Sequence, residues 1–378
     1  MSFLGFTWYY IVVFLLVLTV LVFVHEWGHF WVARRNKVRV EVFSIGFGPE
    51  LYGWDDKYGT RWKISAIPLG GYVKMFGEGE DEDVDGEPRE LTDEEKAVSF
   101  SFKTIRQRAA IVAAGPIVNF IFAIFAFAVL AGVIGTATPL AGAGKVFEGS
   151  AAETAGFKPG DRIFSIDGTE IKYFDDLRKI VSKSAGIKLT FQIQRDGNDQ
   201  TLTAVPKLKT RKDADGNDVE VGLLGIEWDP THVEFERQGP IDSLWVGVRR
   251  TAYVSINILT YVGDMISGNR NTDDLGGPLR IAQISGKMAQ QGPGDLILLM
   301  AMLSVNLGLI NLFPIPMLDG GHLAFYFIEA IRGRPLGPKA QEYGFRFGLI
   351  LVMMLVVFVT WNDLVHLEVF EFIKGLIT

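Results

Sequence analysis

The sequence contains no cysteine, which excludes disulfide bracing, thiolate nucleophiles and cysteine-ligated metal. Histidine is scarce: there are five in 378 residues, and two of them share one pentapeptide. No basic run interleaved with aromatics occurs, so the usual footprint of nucleic-acid binding is missing and no nucleic-acid partner is expected. Charge is missing from long stretches as well, and Phe3 to Val24 holds no ionisable acid or base other than tyrosine.

What is present is 48% hydrophobic and 21% charged, with mean hydropathy +0.23, a balance that implies membrane and water-exposed parts in one chain. Four stretches approach the roughly 20 residues a spanning helix needs. They are Phe3 to about Ala33, Ala109 to about Thr136, Leu296 to about Leu318, and a shorter one from Phe347 to Trp361. A cleaved secretory signal fits the first poorly, because its apolar region is too long and no cleavage pattern precedes the charges. Basic residues cluster after the first span (Arg34, Arg35, Lys37, Arg39), before the second (Lys103, Arg106, Arg108) and between the third and fourth (Arg332, Arg334, Lys339, Arg346). The positive-inside bias makes these flanks cytoplasmic, leaving both chain ends and the segment from about Lys145 to Asp295 on the other face. The net charge of −7 owes much to Glu78 through Glu95, read as a solvated acidic loop with no assigned role.

The first span ends in His25-Glu26-Trp27-Gly28-His29. Residues four apart share a helix face, so both imidazoles reach one zinc ion while Glu26 stands beside them as general base. Ionisable groups within a spanning helix are costly and mark function, so this placement implies peptide hydrolysis within a bilayer. Two histidines leave a catalytic zinc one protein ligand short. The candidate third is Asp319 in Asn311-Leu312-Phe313-Pro314-Ile315-Pro316-Met317-Leu318-Asp319-Gly320-Gly321-His322, where two prolines interrupt helical hydrogen bonding just before a carboxylate.

HEWGH with NLFPIPMLDGGH resembles the site-2 protease family of intramembrane zinc metalloproteases, in its bacterial RseP-like branch. Gly46-Phe47-Gly48-Pro49, Ile67-Pro68-Leu69-Gly70-Gly71-Tyr72-Val73-Lys74-Met75 and Gly115-Pro116-Ile117-Val118-Asn119 add to the likeness. The resemblance implies that His25, His29 and Asp319 ligate zinc and that Glu26 is the catalytic base. It places Asn311 where the substrate backbone or developing oxyanion would be met, although a buried asparagine in a broken helix equally satisfies freed backbone groups. His322 is read as supporting rather than ligating, since a fourth protein ligand would take the position of the attacking water. Pro116 and Asn119 are read as scaffold.

Trp62 to Met75 reads as a β-hairpin turning through Pro68-Leu69-Gly70-Gly71. Its family counterpart folds back into the membrane, so its edge, Tyr72, Val73, Lys74 and Met75, is expected to receive substrate by strand addition. Lys145 to about Lys207 resembles a PDZ domain of the bacterial type, with Asp167-Gly168 as a tight hairpin turn. Gly142 and Gly144 are its expected loop for a peptide carboxylate, and the same domain could instead act as a steric gate. A polar hairpin around Asp215-Gly216 follows. Ile241, Leu244, Trp245 and Val248 then recur at the spacing of an amphipathic helix.

The expected architecture is a polytopic α-helical membrane protein with about four transmembrane helices, a membrane-associated β-hairpin and an inserted extracytoplasmic α+β PDZ domain. Its parts are residues 1–140 and 291–378 as membrane core, 141–207 as PDZ domain and 208–290 as linker. The expected location is a bacterial inner membrane, with the PDZ domain and both termini outside the cytoplasm. Zn2+ is the expected cofactor. Expected partners are the lipid bilayer, single-span membrane-protein substrates such as anti-sigma factors or remnant signal peptides, and peptide C-termini at the PDZ domain. A non-catalytic PDZ-bearing adaptor with structural zinc and a zinc transporter are the competing readings; Glu26 disfavours the first, and the lack of a relay through the bilayer disfavours the second.

Overall fold

Helix α1 runs unbroken from Phe3 to Arg35, because no proline occurs in it and, in hydrocarbon, a helix is the way one segment satisfies its own N–H and C=O groups. It stops where Asn36 returns its side chain to the Val32 carbonyl and Lys37 adopts φ +59°. The computed structural model describes residues 3–78, 91–212, 218–269 and 276–366. Most of the acidic loop and the expected turn at Asp215-Gly216 lie outside them, as do the last residues of the chain.

Strands β1 (Val40–Asp55) and β2 (Arg61–Met75) follow, joined by a turn at Asp56. Asp56 accepts from the N–H groups of Tyr58 and Thr60 and pairs with Arg34 at 2.8 Å, fastening the turn to the end of α1. Burial acts to raise its carboxyl, but those N–H groups, with Arg34 and Trp62, hold it below the ordinary carboxylate range. The sheet differs from a simple hairpin within 62–75. Ser44 faces both Tyr72 and Lys63, and Ile45 faces both Gly71 and Ile64. The first half of β1 therefore lies between the two arms of β2, which makes 71–75 an outer edge. Phe43 is the buried centre of the aromatic packing, stacked on Trp62 at 4.4 Å and edge-on to Phe30.

Helix α2 (Asp93–Val98) starts from a Thr92/Glu95 capping box, and α3 (Ile105–Val133) from the equivalent exchange between Thr104 and Gln107. The chain then builds a separate compact unit, residues 131–239. Its elements are β3 (Thr136–Pro139), β4 (Lys145–Val146), α4 (Ala151–Thr154), β5 (Arg162–Ile166), β6 (Thr169–Glu170), α5 (Phe174–Ser182), β7 (Leu189–Arg195), β8 (Asn198–Ala204), β9 (Lys207–Lys212), β10 (Asp218–Leu223), β11 (Ile226–Glu227) and β12 (Val233–Glu236). Strands β6-β5-β7-β8 form an antiparallel sheet over Phe157, Ile163, Leu177, Phe191 and Ile193. Asp167 and Gly168 both take positive φ in the β5–β6 turn, as the Asp-Gly pair predicts. Asp161 is buried and held by Arg195 at 2.7 Å. The unit extends beyond the 141–207 read from sequence: β12 pairs with β3, β11 with β4, and the stretch read as linker supplies those partner strands.

The remaining helices are α6 (Pro240–Ile266), α7 (Pro278–Gln291), α8 (Pro293–Leu312), α9 (Asp319–Arg332) and α10 (Pro338–His366); with residues 1–130 they form the other compact unit. α6 buries a stripe of small residues, Ser243, Gly247 and Thr251, with Gly247 against the Ile124 carbonyl of α3, and exposes Ile241, Leu244 and Trp245. Among the described residues, four helices are long and apolar enough to cross a membrane: Trp8–Arg35, Ile105–Val133, Pro293–Leu312 and Lys339–Val365. The fourth is longer than its apolar run, because Gln341, Glu342, Arg346 and Asp363 continue the helix at either end.

Candidate metal centre

Three elements carry the candidate ligands to one point. His25 and His29 lie one turn apart on α1, and both rings present Nε2 inward, 3.2 Å from each other. Asp319 arrives from the start of α9, its Oδ2 standing 3.2 Å from His25 Nε2 and 3.5 Å from His29 Nε2. A tetrahedral ion with bonds of about 2.0–2.2 Å spaces its ligand atoms about 3.3–3.6 Å apart, so the triangle has the dimensions of a single zinc site. Asp319 Oδ2 is buried and has no hydrogen-bond donor among the described residues, an orphan acceptor that a cation satisfies. Among the described residues these three are the group able to hold a metal ion.

Local sequence explains how a carboxylate reaches this depth. α8 ends at Leu312, and Pro314 and Pro316 carry the chain through a turn in which Leu318 N–H bonds the Ile315 carbonyl. Met317 takes φ +87°, an uncommon conformation for a residue with a Cβ. Gly320 and Gly321 let the first turn of α9 lie on this bend, since a Cβ at either would strike the carbonyls of Leu312 and Phe313 or of Ile315. α3 supplies the facing wall: a Cβ on Gly115 would collide with His29 Nε2 and His25 Cε1, and one on Gly28 with the Ala114 carbonyl.

Glu26 lines the same cavity of about 270 Å³, together with Tyr72, Val73, Met75 and Asn311. The Val73 backbone N–H faces the Glu26 carboxylate, and the Met75 N–H lies 3.4 Å from Glu78 Oε2. Alternate donors of this strand thus point away from β1 and into the cavity. The Lys74 side chain is engaged elsewhere, on Glu41 at 3.0 Å. The Asn311 side-chain amide makes no hydrogen bond to another described residue. His322 also borders the cavity, 5.3 Å from the Phe345 ring between centroids, outside the ligand triangle.

The Gly144 amide is taken up within the fold, so it is not open to a peptide carboxylate. Gly142 bridges Arg162, the neighbouring Ala143 N–H bonds Asp161, and Gly144 N–H bonds Glu227. Glycine is needed at 144 for close approach, because a Cβ there would meet the Trp228 carbonyl. Sequence reasoning missed Gly115, Asn119 and the carbonyl of Ile111. Each touches a candidate zinc ligand, but a glycine and an asparagine in an apolar span look the same whether they pack helices or serve a metal.

The peptidase family M50 model matches residues 13–355. The chain is 49% identical over 370 residues to the Agrobacterium fabrum protein named "Putative zinc metalloprotease Atu1380", covering 95% of this chain and 97% of that one. It is 46% identical to a similarly named protein of Rhizobium meliloti, covering 94% and 96% of the two chains. It is also 39% identical to metalloprotease MmpA of Caulobacter vibrioides, over 96% and 97% of the two chains.

Proposed function

The chain belongs to peptidase family M50, a zinc metalloprotease with four candidate membrane spans, and from that premise we propose that it hydrolyses peptide bonds within the membrane segments of single-span proteins. The observation that carries this reading is the triangle of His25 and His29, on a candidate membrane span, with Asp319, at the start of the helix that follows another, and with Glu26 in the same cavity. Zinc, when bound, supplies a Lewis acid that activates water and polarises the scissile carbonyl. Glu26 takes the proton of the attacking water and returns a proton to the leaving amine. Asn311, with a free amide at the cavity wall, donates to the substrate backbone or the developing oxyanion. A regular helix conceals its peptide bonds, so the substrate unwinds and lies along the outer edge at Tyr72 to Met75, where the N–H groups of Val73 and Met75 face the cavity. The two donors are shared with Glu26 and Glu78 until a substrate strand competes for them.

The unit 131–239 is proposed to be a PDZ domain that takes peptide C-termini or screens substrates by size; its four-stranded sheet, α5 and Asp167-Gly168 turn support that reading. The basic flanks support a bacterial inner-membrane location with this unit and the termini outside the cytoplasm. Anti-sigma factors and remnant signal peptides are the substrate classes that fit single-span geometry in regulated intramembrane proteolysis.

The test is cleavage of a single-span reporter in detergent or liposomes by the wild type and by Glu26→Gln, with zinc content measured on both. The variant is expected to keep stoichiometric zinc and lose cleavage, since the amide accepts no proton at neutral pH. Near-normal turnover by Glu26→Gln would falsify the assignment.

A further inference from the structure

Both imidazoles at the metal centre offer Nε2 to the triangle, so each must carry its proton on Nδ1. For His29 the partner decides this: Nδ1 lies 2.9 Å from the carbonyl of Ile111, which can only accept. For His25 the partner is the side-chain amide of Asn119 on α3, 3.1 Å from Nδ1. The ends of that amide exchange by a half turn, and the hydrogen-bond network assigns them. With Nδ2 toward the ring, His25 would be protonated on the nitrogen that faces the metal site; in either orientation the far end of the buried amide has no partner among the described residues. With Oδ1 toward the ring, the amide accepts the Nδ1 proton and leaves the Nε2 lone pair free.

We propose that Asn119 is a positioning residue that accepts the Nδ1 proton of His25 through Oδ1, fixing the ring in the tautomer and orientation in which Nε2 binds zinc. This rests on His25 being a ligand. Asn119 is fully buried, so water has no access to replace it, and the Ser304 hydroxyl of α8 holds its backbone carbonyl at 2.9 Å. Gly115, one turn earlier on α3, leaves space for the same two rings. The Gly-Pro-Ile-Val-Asn segment thus does two jobs four residues apart: one residue clears volume for the imidazoles and the other orients one of them. Partners of this kind typically alter metal affinity 10- to 100-fold, by roughly that factor when removed.

The experiment measures the zinc dissociation constant of the full-length protein in detergent by chelator competition, with the visible spectrum of the cobalt-loaded form as a second readout. Asn119→Leu, which keeps volume and removes the acceptor, is expected to bind zinc about 10- to 100-fold more weakly and to shift the cobalt bands. Asn119→Asp, which keeps an acceptor and loses the donor, is expected to stay within about threefold of wild type and to keep the bands. That second variant decides the matter alone if the leucine variant does not fold. A tenfold or greater loss in Asn119→Asp would mean that a donor faces His25, and overturns the proposal. Wild-type affinity in Asn119→Leu overturns it as well. His25→Ala separates the two readings: stoichiometric zinc in that variant removes the ligand assignment and this inference with it, whereas loss of zinc there and wild-type affinity in Asn119→Leu removes the inference alone.

Discussion

Gly115 has no functional group, yet the candidate metal site depends on the space it leaves. A side chain there would overlap His29 Nε2 and His25 Cε1, so Gly115→Val is expected to abolish zinc binding although every ligand is intact. Metal analysis of the purified variant, with circular dichroism as a check on helix content, tests this; full zinc occupancy would show that α3 can retreat. The ligands themselves should behave as a set. His25→Ala, His29→Ala and Asp319→Ala are each expected to lose both metal and cleavage, because two protein ligands hold zinc far more weakly than three. Stoichiometric zinc with normal turnover in Asp319→Ala would mean that the third ligand lies elsewhere.

The sheet edge and the end of α10 each make a test at the level of an element. If the edge at 72–75 receives substrate, its four residues are not equivalent: the N–H groups of Val73 and Met75 face the cavity, which leaves those of Tyr72 and Lys74 toward β1. Proline at 73 or 75 is expected to lower cleavage several-fold with stability preserved, since a lost hydrogen bond is worth roughly 0.5–1.5 kcal/mol. Proline at 72 or 74 should instead destabilise the sheet, and alanine at any of the four should do little. Cleavage rate, zinc content and thermal stability measured together distinguish these cases, and uniform mild effects would exclude the edge as the substrate strand. On α10, Asp363 is buried and accepts from the N–H groups of Gly277, Leu279 and Arg280 at 2.8–3.0 Å, capping α7 from another helix. Gly277 permits the approach, as a Cβ would meet Asp363 and the Val359 carbonyl. Asp363→Ala strands those donors at a cost of roughly 2–4 kcal/mol. Faster hydrogen exchange at 277–280 is the expected signature, and unchanged protection there would mean that water replaces the cap.

At the scale of the molecule, the candidate metal centre lies within one compact unit and the inserted residues form another. Residues 131–239 form one compact unit and the rest another, and the backbone at Gly135 lies against that of Glu236, so the insertion leaves and returns at one place. Deleting 145–207 would strip β11 and β12 of their partners β3 and β4 only in part and leave unpaired edges. Excision of 136–236 with a short join is the cleaner variant. It is expected to retain zinc and to cleave short, pretrimmed substrates, while losing discrimination against substrates with bulky outer domains. Matched long and short reporters measure this, and an unchanged preference in the folded variant would argue against screening by the unit.

The sequence by itself determined the candidate chemistry, because HExxH sets two imidazoles on one helix face with a carboxylate beside them, and the Pro-rich break before Asp319 marks where a further carboxylate enters an apolar region. It also determined the spans, since apolar runs of that length have few other uses. Only the tertiary structure decided what depends on contacts distant in sequence. The arms of β2 at 61–64 and 71–75 are separated by β1 rather than paired with each other, which alternation within one segment cannot reveal. The strands after Lys207 complete the inserted unit by pairing back to 136–146, a partner choice that composition does not encode locally. Asn119 and Gly115 look like packing residues in the sequence; proximity to His25 and His29 across some ninety residues of chain sets them against the candidate metal centre, because hydrogen bonds and excluded volume act between neighbours in space.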